Sequence, residues 1–370
     1  MSVDPHLLAS LLELFSLLVY AGVYTAGMIL FVLLVRLLAG RAMTGRGRMV
    51  MWYGFLISAV LLLTLCAKGN FQRRWGDADG TTFPPLDIRF LRFSTVNDAN
   101  ILYANGSADL EIFWNGKLLA ELDGVKFLLW AIGLWAAGAV VFYALHAASY
   151  FRLKRRLGKI PTCTEEWVLS MARAERGWRG ESREMSIKVA RQADFPEINC
   201  PCVVGFREKT LLLIREQWDA LTPSEQEAAM AHEIMHIRKN DNYRNLILVI
   251  IHGLYWHNLL FWIAARLMRR DLEFLRDVQI AGELSREQTA DYARAILRLA
   301  ERFSRSWRPE LSSMMLCRSG VGMRIRFLCD RNRRAAWGDF VFPWAVLILM
   351  ALALFNKNSP GIVSDIYKII

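Results

Sequence analysis

The chain has 370 residues, enough for two or more domains, and 54% of them are hydrophobic. That share, together with a positive mean hydropathy, excludes an ordinary soluble enzyme and indicates membrane-spanning segments. The formal net charge of +11 is common in nucleic-acid-binding proteins, but the basic residues cluster beside the apolar segments, so we expect no direct nucleic-acid binding by this chain.

Four apolar segments are long enough, or nearly long enough, to cross a bilayer. Residues 14–35, 49–67 and 127–151 contain no Asp, Glu, Lys or Arg, and the shorter segment 340–356 contains none either. No basic residue precedes the first segment and Arg36 follows it, so we expect a retained helix rather than a cleaved signal peptide.

The distribution of Lys and Arg predicts how these helices cross the membrane. Basic residues crowd the segments 36–48, 152–159 and 331–334, whereas the loop 70–124 has five basic and eight acidic residues. We therefore predict a multi-pass protein with both termini and the loop 70–124 outside, and with 36–48 and 152–339 inside. The basic ends also favour contact with anionic lipids of the bilayer.

The external segment 70–124 contains short alternating stretches, such as 88–93 and 110–114, that are typical of strands. Asn115-Gly116 follows the second stretch and is a hairpin turn signal. We expect either a small β-rich domain that meets an extracytoplasmic partner or a plain spacer.

The segment between the third and fourth spans predicts a mixed α+β domain. A helix is expected at 164–178, with short strands at 186–191, 202–206 and 210–214. A further amphipathic helix is expected at 286–304.

The strongest motif lies on a helix that follows these strands. Thr222 and Glu225 predict a capping box at its start. The helix contains His232 and His236, which are four residues apart and so project from the same face as a pair of zinc ligands. Glu233 lies beside them and can reach a water molecule at that metal without occupying a coordination position.

A hydrolytic zinc site keeps three protein ligands and one water molecule, so a third ligand is needed. Glu273 is the candidate, because it lies on another predicted helix. Asp277, one turn later, can accept the second ring N–H of a ligating histidine and so orient it. These residues predict a thermolysin-like zinc protease site, with His232, His236 and Glu273 as ligands and Glu233 as the catalytic base.

One further apolar run, residues 245–265, would also score as a membrane helix. A full crossing would separate Glu273 from both histidines. We therefore interpret the run as two shorter helices that turn near 256–258. They form a hairpin at about 244–268 that packs against, or dips into, the cytoplasmic leaflet.

Around the motif, the chain resembles the BlaR/MecR-type, antirepressor-like membrane zinc metallopeptidases. The resemblance is carried by three runs: His232-Glu-Ile-Met-His236-Ile-Arg-Lys-Asn-Asp241, Trp256-His-Asn-Leu-Leu-Phe-Trp262 and Arg269-Arg-Asp-Leu-Glu273-Phe-Leu-Arg-Asp277. Those proteins usually have Cys in the last run, where this chain has Arg276.

The resemblance implies a mainly α membrane protein of the bacterial cytoplasmic membrane: four transmembrane helices with an inserted cytoplasmic α+β thermolysin-like (gluzincin) zinc protease domain. The expected organisation is two transmembrane helices (1–69), an extracytoplasmic loop domain (70–124), a third transmembrane helix (125–151), the cytoplasmic protease domain (152–339), a fourth transmembrane helix (340–356) and an extracytoplasmic tail (357–370). The implied substrate is a cytoplasmic regulatory protein, with self-cleavage as an open alternative.

The best-known relatives carry a penicillin-binding sensor domain after the last span, whereas only about 14 residues follow position 356 here. We expect no such sensor domain, and a signal is expected to enter through 70–124, the spans or a separate partner. A homo-oligomer is left open. The competing interpretation is a non-catalytic membrane signalling or scaffold protein with a structural zinc site. Glu233, which a structural site does not need, favours the enzyme.

Overall fold

The computed structural model describes residues 5–39, 43–66, 82–83, 86–90, 109–114, 117–175, 185–198, 201–303, 324–325 and 328. Within these ranges, long apolar helices form one part of the molecule. A small sheet with the motif helix packed against it forms another part.

Three long helices contain the first three predicted spans: α1 (Pro5–Ala39), α2 (Gly45–Cys66) and α3 (Gly124–Leu157). Their apolar residues give each helix a continuous hydrophobic surface, which suits a lipid environment better than water.

Two stretches of these helices are long and apolar enough to cross a membrane, Leu17–Leu38 in α1 and Lys126–Leu157 in α3. The predicted span at 49–67 is helical as far as Cys66, and its role as a span stays a prediction. The fourth predicted span, 340–356, lies outside the described residues.

Among the residues described between α2 and α3, four strands form an antiparallel sheet in the order β1-β2-β3-β4. The strands are β1 (Thr82–Phe83), β2 (Leu86–Phe90), β3 (Asp109–Trp114) and β4 (Lys117–Asp123). Trp114 pairs with Lys117, which confirms the tight hairpin predicted at this point of the sequence.

The small sheet follows a short helix, α4 (Glu166–Ala174), and has the strand order β5-β7-β6. Its strands are β5 (Met185–Ala190), β6 (Cys202–Val204) and β7 (Lys209–Ile214). Strand β5 is parallel to β7, and β6 is antiparallel to it. The predicted strands are thus present, each within a few residues of its expected bounds.

The central strand β7 anchors the core beneath the motif helix. Its last four residues are fully buried, and Leu211 and Leu213 pack with Met230 and Ile234 of that helix. This apolar contact fixes the height and rotation of the helix on the sheet.

Between residues 215 and 303 the structure describes five helices: α5 (Arg215–Trp218), α6 (Pro223–Lys239), α7 (Asp241–Leu254), α8 (Leu259–Glu283) and α9 (Arg286–Phe303). The capping box of Thr222 and Glu225 at the start of α6 is confirmed. Asn240 ends α6 with a left-handed φ of 56°, a conformation that asparagine tolerates better than most residues. Helix α7 therefore begins at once, and Asp241 lies beside the last turn of α6.

Helices α7 and α8 form a hairpin that turns at residues 255–258, as predicted from the apolar run. Side chains of the turn donate hydrogen bonds to main-chain carbonyl groups of all three long helices: Tyr255 to Ala59 (2.9 Å), Trp256 to Trp135 (3.0 Å) and Asn258 to Gly22 (3.2 Å). The polar groups of Tyr255, Trp256 and Asn258 are thus paired within the protein, as polar groups among apolar helices need to be.

The turn packs among the three long helices. Its carbonyl partner Gly22 lies at the middle of α1, whereas Ala59 lies nearer the Cys66 end of α2 and Trp135 nearer the Gly124 end of α3. The expectation that the hairpin packs against, or dips into, the cytoplasmic leaflet stays a prediction.

Candidate metal centre

Three side chains from two helices converge beside the sheet. His232 and His236 come from successive turns of α6, and Glu273 comes from α8. Nε2 of His232 lies 3.1 Å from Nε2 of His236 and 3.1 Å from a carboxylate oxygen of Glu273. The structure thus brings together all three ligands predicted from the sequence, and their ligand atoms lie within 4.8 Å of one another.

These distances fit a small metal ion. Two nitrogen ligands at about 2.0–2.1 Å from a zinc ion, in tetrahedral geometry, lie about 3.3 Å apart. The 3.1 Å between the two imidazole nitrogens is close to that spacing. A set of two imidazoles and one carboxylate also belongs to the donors that zinc binds.

The outer nitrogen of His236 faces a carboxylate. Its Nδ1 lies 2.7 Å from Oδ2 of Asp241, and that carboxylate also accepts hydrogen bonds from Arg276 and Arg244. Burial alone would raise the pKa of Asp241, but hydrogen bonds from Arg276 and His236 outweigh it and hold that pKa well below its ordinary value. Because an ionised carboxylate only accepts, the neutral His236 ring that a metal ion needs would carry its proton on Nδ1 and direct the Nε2 lone pair to the centre.

The outer nitrogen of His232 is held by a second network. Its Nδ1 lies 2.7 Å from the Tyr292 hydroxyl, which in turn donates to Asp277 over 2.7 Å. Asp277 itself is 3.4 Å from Nδ1, so it lies where predicted, but Tyr292 makes the nearer contact. Arg324 donates two hydrogen bonds to the same carboxylate and is the main reason that the pKa of Asp277 falls, despite its burial, to about 2.

The centre favours positive charge. Burial alone would lower the pKa of His232, but hydrogen bonds to Asp277 and Glu273 raise it to about 9. The pKa of His236 is likewise raised, while that of Glu273 is held low by the two histidines despite its burial. The three ligand atoms, supported by the carboxylates of Asp241 and Asp277, therefore strongly stabilise positive charge, whether protons or a metal ion carry it.

Glu233 lies on α6 between the two histidines and is partly buried. Burial raises its pKa above the ordinary value, although the neighbouring histidines act in the opposite direction. A carboxylate whose pKa is moved toward neutrality is suited to accept and release a proton.

Four residues of the site carried no assigned role in the sequence reasoning: Asp241, Arg276, Tyr292 and Arg324. Asp241 lies only five residues after His236, and the left-handed Asn240 between them folds it back. Tyr292 is 60 residues from His232, and Arg324 is 47 from Asp277. A local sequence pattern can therefore indicate the contact of Asp241 with His236, but not the contacts of Tyr292 and Arg324.

A histidine pair one helical turn apart, a glutamate from a second helix and a glutamate beside the pair define the active-site type of a metal-dependent peptidase. The sequence profile of the family described as BlaR1 peptidase M56 matches residues 16–328, and the chain belongs to that family. With two helices long and apolar enough to cross a bilayer, the protein is a membrane-associated metallopeptidase. The family match confirms the resemblance seen in the sequence. No curated protein matches the chain.

Proposed function

We propose that this protein is a membrane-embedded zinc endopeptidase that cleaves a cytoplasmic regulatory protein in transmembrane signalling. The observation that carries the proposal is the convergence of His232, His236 and Glu273, with Glu233 beside them. Self-cleavage as an activating step is a further part of the proposal.

In this proposal, His232, His236 and Glu273 hold zinc, which supplies a Lewis acid that activates water near neutral pH. Glu233 removes a proton from the attacking water and delivers it to the leaving amine. Its raised pKa suits both halves of that transfer. The networks behind the histidines keep both rings oriented while the charge at the centre changes.

The proposed topology places both termini and 70–124 outside the cell, and the centre inside. It is supported by the basic residues Arg36 and Arg48, which contact Asp271, two residues before Glu273. The ends of α1 and α2 that adjoin the centre are therefore their basic ends, as expected of cytoplasmic ends. Cysteine labelling in intact cells tests this: position 105 should react from outside, and position 158 only after permeabilisation. Labelling of position 158 from outside would reverse the orientation.

Replacing Glu233 by Gln tests the peptidase proposal most directly. Glutamine keeps the size of the side chain but cannot accept the proton, so cleavage should slow by about 10²–10⁴-fold. Membrane level and zinc content are measured on the same preparations, and both should match those of the native protein. The readout is a comparison of cleaved peptides in cells with either form.

The outcome also separates the two classes of function. A zinc-loaded Glu233→Gln protein with an unchanged cleavage pattern and unchanged signalling would contradict the peptidase and support a non-catalytic scaffold. The peptidase and the scaffold interpretations both predict that His232→Ala or Glu273→Ala removes the zinc.

A further inference from the structure

Arg276 is a buried arginine on α8, the helix that supplies Glu273, yet its guanidinium contacts the other arm of the site. Its side chain is 2% exposed, and Nε donates to Oδ2 of Asp241 over 2.6 Å while a second nitrogen donates to Oδ1. The remaining nitrogen donates to Gln279 over 2.6 Å. A two-pronged contact of this kind fixes the plane of the carboxylate as well as its position.

Asp241 transmits that constraint to a ligand. The oxygen that accepts from Nε of Arg276 also lies 2.7 Å from Nδ1 of His236. A continuous chain of contacts thus runs from Arg276 on α8, through Asp241 at the start of α7, to His236 on α6. The second arginine on this carboxylate, Arg244, is more exposed and lies three residues away on α7. It also donates to the main-chain carbonyl of Lys239, so it ties Asp241 to the end of α6, whereas Arg276 ties it to α8.

We propose that Arg276 is a positioning residue that sets the zinc affinity of the centre by orienting Asp241 and, through it, the ring of His236. The inference rests on the proposed function only in that the centre binds zinc.

Zinc affinity, measured by competition with a chelator, tests the inference without any substrate. We expect Arg276→Gln to weaken zinc binding by about 10–100-fold, the usual effect of losing the support of a ligating histidine. Asp241→Asn should weaken it similarly. The double variant should bind zinc no more weakly than the single variant that binds it more weakly, because both changes break the same chain of contacts. Losses that multiply in the double variant would mean that Arg276 acts elsewhere, and would overturn the inference.

Arg238→Gln is the matched control. Arg238 also joins α6 to α8, through Glu283 at 2.6 Å, but this pair is part-exposed, and the other hydrogen bond described for Arg238 goes to the sulfur of Met235. Its loss should change zinc affinity less than twofold. The visible spectrum of the cobalt-substituted protein gives a second readout, since it reports ligand geometry. Arg276→Gln should change that spectrum and Arg238→Gln should not; a native spectrum in Arg276→Gln would overturn the inference.

Two variants guard against a folding defect. Arg276→Gln leaves the Asp241 charge less compensated, whereas the double variant with Asp241→Asn removes both charges and should fold and bind zinc weakly. Arg276→Lys keeps the charge but cannot make the two-pronged contact, so its affinity should fall between those of the native protein and Arg276→Gln. Native affinity in either variant would overturn the inference. Failure of the native protein to bind zinc would instead contradict the proposed function.

Discussion

The indole nitrogen of Trp52 donates a hydrogen bond to Asp271 over 2.8 Å and so joins α2 to the helix that carries Glu273. Arg36, from the end of α1, pairs with the same fully buried carboxylate, and Arg48 lies 3.6 Å from it. Both of the first two long helices are thus attached to α8 only two residues before a proposed metal ligand.

Asp271→Ala should strongly destabilise this attachment. Removing one partner of a buried ion pair leaves the other charge uncompensated and costs about 3–5 kcal/mol. Thermal unfolding of the detergent-solubilised protein measures the loss. Asp291→Ala is the control, because Asp291 pairs with Arg294 at an exposed position where a salt bridge contributes about 0–1 kcal/mol. Equal losses in the two variants would show that the buried pair does not hold the helices together.

Tyr292→Phe should weaken zinc binding, because it removes the hydroxyl that lies between His232 and Asp277. We expect a loss of about tenfold, at the low end for such support, since Asp277 is near enough to take over part of the contact. Competition titration measures the affinity. Tyr243→Phe, on the surface of α7, should leave it unchanged. Native affinity in Tyr292→Phe would show that the hydroxyl does not support His232.

The zinc-depleted and the zinc-loaded protein should differ in how their stability depends on pH. The pKa of His232 is raised from 6.5 to about 9 in the folded metal-free protein, despite burial, by its carboxylate partners. The stability from its protonation is therefore fully present below pH 6.5 and is lost as pH rises through about 9. Zinc requires the neutral ring, so protons compete with it and its stabilising effect grows over the same range. Melting temperatures of both forms at the two limits test this; a constant difference between them would contradict it.

Gly138→Ala should destabilise the contact between α3 and the hairpin. An added Cβ at Gly138 would lie 2.1 Å from the ring of Trp256, so the indole must move. Overpacking of this kind costs about 1–3 kcal/mol. Gly133→Ala is a matched control on the same helix, because no described atom lies within 4 Å of its added Cβ. Thermal unfolding should show a loss for Gly138→Ala alone, and similar melting temperatures for the two variants would exclude the close contact.

The features that the sequence predicted well are those set by neighbouring residues. Helix α6 was predicted from its capping box, and the hairpin from the requirement that Glu273 and both histidines share one side. The contacts of Tyr292 and Arg324 depend on how distant helices pack, and no local spacing encodes them. Arg276 was visible only as a departure from a familiar pattern. Its partner Asp241 became apparent once α7 was folded back by Asn240.

The hairpin of α7 and α8 connects the candidate metal centre to the three long helices. Helix α7 has 14 residues and spans about 21 Å, and no loop interrupts it between the turn and Asp241. The returning helix α8 is equally continuous from Leu259 to Glu273. The two helices therefore form a continuous hairpin, with the turn at one end and the metal ligands at the other. Gly22 of α1 and Trp135 of α3 are therefore joined to the metal centre through two uninterrupted helices.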